Sequence, residues 1–321
     1  MDNLTHSLIG VTAANAGLKK KFGPGTMAAL VVSSNLPDID VFWGFVNHMP
    51  NFFYRRMLTH SLLIMPVLAF LGAWIQRRIS KSISLANLFA LYLLGIGLHL
   101  VFDLVNSFGV VVFYPLSRMR LELAWVFIVD LALWALMLLP LLLSRIRSRY
   151  TDLTDLSRIA ARCVAIYVLA CGVLHWNAGR ALARASEALG QKPTFSYVFP
   201  EPLGPQRFRG VALEGPQYRI FRINSVLGKA QLAGEVVTEE SNQAVKIITK
   251  TPIGRKAMWF AKAPVWSHGY GAVPGVQIWT VRDLRFESLV LPGRNYFTLG
   301  WEVTDNTVRY LGRVRAGARG A

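Results

Sequence analysis

The sequence predicts an α-helical polytopic membrane domain of about five or six helices over residues 1–178, followed by an all-β soluble domain over residues 190–321. Three observations predict it. Long apolar runs, near the roughly 20 residues that a bilayer requires, fill the first part of the chain. Lys and Arg gather in alternate short loops between those runs. From about residue 194 the pattern changes to short alternating segments rich in β-branched and aromatic residues, set apart by Gly, Pro and Asn.

The chain has 321 residues, 53% hydrophobic and 17% charged, which is enough for two domains. Residues 1–179 hold 15 Lys/Arg and 8 Asp/Glu, and the remainder holds 20 and 10, so the net charge of +17 does not sit in a tail. No basic stripe with interleaved aromatics is present, so no nucleic-acid partner is expected. Membrane lipids with anionic headgroups are the partner the charge predicts. Cys163 and Cys171 share one apolar run, about 12 Å apart along a helix, too far for a bridge. The β domain therefore has no disulfide framework, and no signal peptide is expected because the lysines follow the first apolar stretch.

Taken in order, residues 4–18 form a short, moderately apolar segment with His6 near its start, followed by Lys19, Lys20 and Lys21 and the turn Gly23-Pro24-Gly25. Residues 26–46 are interrupted at Asn35-Leu36-Pro37-Asp38-Ile39-Asp40, where proline breaks the helix and two aspartates fall at the break. These two segments are expected to be tilted, broken or partly re-entrant. Four stronger runs follow. Residues 58–75 open with Thr59-His60-Ser61, residues 83–105 carry His99 and Asp103, and residues 121–143 carry Asp130 and end in Arg145, Arg147 and Arg149. Residues 159–176 form the sixth run. Beyond them, strands are expected at 195–199, 218–226, 244–249, 276–281, 296–303 and 307–313, with one helical turn at 256–262, as a sandwich or open barrel.

Lys19 to Lys21, the loop with Arg77, Arg78 and Lys81, and the region from Arg145 to Arg162 alternate so as to share the cytoplasmic side. The N-terminus, residues 47–57, residues 107–120 and everything after Asn177 then lie outside, which makes the β domain periplasmic.

Residues 91–106, LYLLGIGLHLVFDLVN, place His99 and Asp103 one helical turn apart, with Cβ atoms about 5–6 Å from each other. Such a pair can bind one metal ion, let the carboxylate orient the imidazole, or simply tie helices together. His6, Asp38, Asp40 and His60 fall toward the same outer end, so six candidate ligands converge on one face. Imidazole and carboxylate without thiolate suit zinc, with manganese as the alternative, and the count allows two ions. Asp38 or Asp40, where not a ligand, can act as a base. Arg56 and Arg55 precede His60 and can clamp a phosphate or carboxylate, or pair with the aspartates or lipid phosphates; of the two, Arg56 is the one expected to stabilise charge developing on the substrate. Thr59 and Ser61 are expected to cap or support, and Asp130 to need a partner such as an arginine or a ligand histidine. His48, His175 and His268 read as solvated or interfacial. No GxSxG elbow, P-loop or dinucleotide fingerprint occurs.

The segments MDNLTHSLIG, NLPDID, RRMLTHSLL, GLHLVFDLVNSFG, YPLSRMR and WVFIVD, in this order, resemble the bacterial membrane-bound metal-dependent hydrolase family, the YdjM-like proteins, over about residues 1–145. The resemblance implies an inner-membrane protein with metal binding at His6, Asp38, Asp40, His60, His99 and Asp103. Where the family pattern reads H-R-G-x-T-H-S, this chain has Arg55 and Met57 for the first histidine and the glycine, and Gly97 replaces the small polar residue before H-x-x-x-D. More remotely, the H-x-x-x-D with its upstream ligands resembles the helical site of zinc-dependent phospholipase C. The expected function is a metal-dependent hydrolase acting on a phosphoester in a lipid or lipid-linked substrate. The alternative is a non-enzymatic membrane scaffold with a structural polar cluster, and a transporter is a weaker third class.

Overall fold

The computed structural model describes residues 1–42, 51–146, 152–271, 275–291, 297–304 and 307–314. His48, Arg147, Arg149 and the Pro292-Gly293 turn lie outside the described residues. The chain divides into two units, residues 1–173 and 174–321.

In the first unit, helix α1 (Asn3–Ala13) starts where the Asp2 carboxylate accepts the Thr5 N–H at 2.9 Å. It widens into a π-turn at Ala14–Leu18, where Gly17 takes a φ of 129°, and ends in the short α2 (Lys19–Phe22). Helix α3 (Thr26–Ser33) stops ahead of Pro37, and the chain tightens into a 3-10 turn at Leu36–Phe42. A second 3-10 turn, Leu58–His60, precedes α4 (Met65–Ile79). Ser84 caps α5 (Leu85–Leu104), and α6 (Leu131–Ile146) and α7 (Leu153–Ala188) follow.

Helix α5 is the axis of this unit. Leu88, Leu91, Ile96 and Leu100 bury against Ala29 and Leu30 of α3 and Ala69 and Ala73 of α4. Two glycines let backbones close on one another, as small residues do between membrane helices. A Cβ on Gly95 would stand 1.8 Å from Ser33 Oγ, and one on Gly10 would stand 2.8 Å from the Leu30 carbonyl oxygen. Val67, Phe70, Leu71 and Trp74 form an exposed apolar stripe on α4 at helical spacing.

Among the described residues two helices, α5 and α7, are long and apolar enough to cross a membrane, in place of the five or six expected. The other runs fall short for local reasons. The first is broken by the π-turn and Gly17, and the second by Pro37. The third spends seven of its residues on the turn before α4, which leaves a helix of 15 residues, and α6 has 16.

The basic loops share one end of the unit. Lys20 Nζ lies 2.7 Å from Asp152, Arg158 Nε donates to the Ala16 carbonyl at 3.0 Å, and Ser82 Oγ donates to the Pro24 carbonyl at 2.9 Å. His99 and Asp103 lie at the opposite end of α5. Asp130 finds neither an arginine nor a ligand histidine. It caps α6 by accepting from the Ala132 and Leu133 N–H groups, and its second oxygen accepts from the Tyr167 hydroxyl at 2.9 Å.

The second unit holds two four-stranded antiparallel sheets, each a simple meander. The first comprises β1 (Phe195–Pro200), β2 (Arg207–Glu214), β3 (Gln217–Asn224) and β4 (Lys229–Val237). The second comprises β5 (Pro264–Tyr270), β6 (Gln277–Asp283), β7 (Thr298–Val303) and β8 (Val308–Arg313). Phe199, Val211 and Tyr218 of one sheet bury with Val265 of the other and the neighbouring Leu284. This unit is not all-β. The segment expected as a strand at 244–249 is α8 (Gln243–Lys250), capped by Asn242, with Val245 and Ile248 buried on one face. The expected helical turn is α9 (Pro252–Phe260), begun by Pro at its first turn and the Thr251 hydroxyl on the Gly254 N–H.

An ionic knot lies within this β core. Arg209 Nη1 stands 3.1 Å from Glu201 Oε1, and Arg285 Nη2 stands 3.0 Å from Asp283 Oδ2. Burial pulls the Arg209 guanidinium below its ordinary range, and Glu201 offsets part of that.

Candidate metal centre

Five segments of the first unit deliver side chains to one buried point. α1 brings His6, the turn after α3 brings Asp38 and Asp40, the next turn brings His60, and the end of α5 brings His99 and Asp103. The loop after α5 adds Asn106. The close contact at Gly95 carries the end of α3 against α5, so the Ser34 carbonyl accepts from His99 Nδ1 at 2.7 Å. A carbonyl only accepts, so Nδ1 carries the proton and the Nε2 lone pair faces the cluster. His60 Nδ1 faces Asp40 Oδ2 at 3.4 Å and Thr59 Oγ1 at 3.1 Å, and its Nε2 faces the cluster.

The two Nε2 atoms are 3.1 Å apart. Asp103 Oδ2 stands 3.3 Å from His60 Nε2 and 3.4 Å from His99 Nε2, and Asp38 Oδ1 stands 3.8 Å from His60 Nε2. Arg55 pairs with Asp38, and Arg56 and the Met1 amine pair with Asp103, so the case for an ion rests on the convergence of the ligand atoms rather than on unbalanced charge. The edges also fit an ion. Ligands about 2.0–2.1 Å from a tetrahedral ion stand about 3.3–3.4 Å from one another. Asp38, His60, His99 and Asp103 are all buried and bring one ligand atom each within 4.8 Å of the others, so this cluster can hold a metal ion. Asp38 Oδ2 and Asp40 Oδ1 are buried without a hydrogen-bond partner, so both keep capacity to accept.

The other two expected ligands stand beside this set. His6 stacks on His99 with ring centroids 3.8 Å apart, and its Nε2 lies 3.3 Å from Asp103 Oδ1. Asp40 orients His60 and accepts the Arg56 backbone N–H at 2.6 Å.

The two arginines differ. Arg56 is 3% exposed, with a φ of 61°, and its side chain is used up within the protein. Its Nε meets Asp103 Oδ2 at 2.9 Å, Nη1 donates to Asn106 Oδ1 at 3.0 Å, and Nη2 donates to the Met1 carbonyl. Its guanidinium also lies over the Phe108 ring at 4.6 Å. Arg55 Nη2 meets Asp38 Oδ1 at 2.6 Å and its Nε faces Asp40 Oδ1 at 3.6 Å, yet its side chain stays 28% exposed.

Sequence reasoning did not single out Ser34, which acts through its carbonyl, the Met1 amine, which meets Asp103 Oδ1, or Asn106, which holds both Arg56 and Asp103. Of these, only Asn106 had a signal, since it lies three residues beyond Asp103 on an otherwise apolar stretch.

A family model described as YdjM inner membrane protein matches residues 1–178. The chain belongs to this family. The YdjM match contains every side chain of the cluster, and an inner-membrane family agrees with the two helices able to cross a bilayer. No curated protein and no solved structure matches the chain. Of the other histidines, His175 packs edgewise on Phe208, and His268 pairs with Glu239 at 2.6 Å while stacking on Trp279.

Proposed function

We propose that this YdjM protein is a membrane-bound metal-dependent hydrolase that cleaves a phosphoester at the membrane surface. The observation that carries the reading is the convergence of His60 Nε2 and His99 Nε2, 3.1 Å apart, with the buried carboxylates of Asp38 and Asp103. Zinc suits two imidazoles and two carboxylates best, with manganese as the alternative. Bound there, a divalent ion supplies a water of lowered pKa and a Lewis acid for the phosphoryl oxygen.

The chain's own residues divide the remaining work. Asp38, His60, His99 and Asp103 hold the ion, Asp40 and the Ser34 carbonyl fix the two ring orientations, and His6 packs the back of His99. Asp40 Oδ1, buried without a hydrogen-bond partner, is the acceptor available for the proton of an attacking water. Arg56 acts as a positioning residue for Asp103. The basic end of the unit faces the cytoplasm, which puts the metal centre and the C-terminal β unit on the periplasmic side.

Elemental analysis of the purified full chain tests the centre. We expect about one divalent ion per chain in the wild type and none in His99→Ala or Asp103→Ala. Metal-free wild type, or a His99→Ala protein that keeps its ion, would sink the assignment. A phosphoester and phospholipid screen with added zinc or manganese then tests the reaction, with Asp40→Asn expected to keep the metal and lose turnover.

A further inference from the structure

The way into the centre is narrow and specific in character. His60, His99 and Asp103 have no exposure, and Asp38 and Asp40 have little, so Arg55 is the most exposed polar side chain among the described residues of the cluster. Around it the surface is apolar. Ile39 lies between the two aspartates and faces outward, and Leu58 is exposed on the turn that packs beside it. Leu62 and Leu63 follow His60, and the Leu62 N–H donates to the Val112 carbonyl at 2.9 Å. That bond joins them to the segment bearing Leu116, 81% exposed, and Met119. In water such a rim would be an aggregation liability.

What covers the rim follows from its continuity. Leu62 and Leu63 lead directly into α4, whose Val67, Phe70, Leu71 and Trp74 stripe runs on from them without a polar break. An exposed apolar residue also lies on α5, the helix that carries His99, at Val101. A lipid-facing surface therefore reaches the mouth itself. An amphiphile resting there has its chains against leucines and its headgroup at a guanidinium.

We propose that the mouth of the centre lies in the headgroup layer of the membrane, where the Arg55 guanidinium meets the phosphate of an anionic phospholipid entering sideways along the α4 stripe. This rests on the reading of the cluster as a hydrolytic metal centre and names its substrate class. Arg55 turns one edge to Asp38 and Asp40, and a guanidinium has five donors, so its outer edge is open to a phosphate. Asp38 couples that grip to the ion, because it contacts both Arg55 and the ligand cluster. Arg56, with its donors committed inside the protein, does not share this role.

The test uses the full chain in nanodiscs of equal phosphatidylglycerol and phosphatidylcholine, with Cys163 and Cys171 replaced by serine. Fluorescent labels are placed at Leu58→Cys, Leu116→Cys and, as an aqueous control at the basic end, Lys21→Cys. Labels at Leu58→Cys and Leu116→Cys should be quenched by nitroxide lipids and shielded from iodide, and the Lys21→Cys label should show the reverse. Iodide quenching at Leu116→Cys equal to that at Lys21→Cys overturns the proposal. So does shielding without lipid quenching, which would mean a protein covers the rim. Phosphatidylglycerol retained through detergent washing is then counted by mass spectrometry. A charge-assisted hydrogen bond is worth about 1.5–3 kcal/mol, so Arg55→Gln should retain about tenfold less or lower still, and Arg55→Lys an intermediate amount. Equal retention in wild type and Arg55→Gln overturns the role of Arg55. Metal content measured on the same samples keeps the two ideas apart, since a chain without metal can still show lipid quenching and selective retention.

Discussion

Glu201 and Asp283 in the β unit are buried as deeply as Asp38 and Asp103 in the helical unit, yet the two pairs are treated differently. In the β unit both oxygens of each of these two carboxylates have partners. Asp283 accepts from the backbone of Lys262, Ala263 and Arg285, and Glu201 accepts from Ser288, Leu289 and Val290 besides meeting Arg209. In the helical unit Asp38 Oδ2 and Asp40 Oδ1 lack hydrogen-bond partners, and the Nε2 atoms of His60 and His99 converge beside them. Buried charge that closes on itself builds a fold, whereas buried charge that converges and stops short marks a place for something else.

The largest effect that separates them is expected from one neutral substitution in each. Asp103→Asn keeps the shape but leaves Arg56 buried against a neutral partner, a loss of about 3–5 kcal/mol, and also removes the metal. Glu201→Gln should destabilise by a similar mechanism through Arg209 and leave metal content untouched. Denaturant melts with elemental analysis read both quantities, and a Glu201→Gln protein that loses metal would break the comparison.

A middle-sized effect should come from Gly95→Ala. The new methyl meets Ser33 Oγ, and overpacking of this kind costs about 1–3 kcal/mol. Because the same contact sets the Ser34 carbonyl on His99, metal retention should weaken along with the melting temperature. Ser33→Ala in the same chain should restore part of both. Loss of stability with metal retention unchanged would separate helix packing from the cluster.

The smallest effect concerns an exposed pair far from either interior. The Lys20 ammonium, aided by the Thr154 backbone, holds the Asp152 carboxyl down to about 2. A carboxyl lowered on folding contributes stability above its ordinary value of 3.8 and loses it as pH falls toward 2. Wild type should therefore lose melting temperature faster than Asp152→Asn between those limits, with little difference at neutral pH. Parallel acid profiles for the two proteins would show that the pair is inert.

Much of the centre was legible because chemistry-bearing residues stand out on apolar sequence. His60, His99, Asp38 and Asp103 are conspicuous there, and the helical spacing of His99 and Asp103 fixes a shared face. What the residues could not reveal is work done by the backbone, such as the Ser34 carbonyl, or which of two adjacent, chemically identical arginines keeps an exposed edge: Arg56 was expected to meet the substrate, and Arg55 is the exposed one. The number of crossing helices was overcounted because hydropathy registers apolar length, while Gly17 and Pro37 decide whether that length is one helix. Residues 244–249 are rich in β-branched side chains, and a local cap with burial at Val245 and Ile248 overrides that preference. Strands β2, β4 and β5 were not singled out; β4 (KAQLAGEVV), for one, is mostly exposed and has few branched residues before its end.

All the ligands, and Asn106 that steadies them, lie within the first third of the polypeptide. Chains are made from the N-terminus, and early segments begin to fold while later ones are still being synthesised. The last ligand, Asp103, leaves the ribosome more than two hundred residues ahead of the C-terminus. The residues of the cluster are thus all made before any part of the β unit, and their assembly does not have to wait for it.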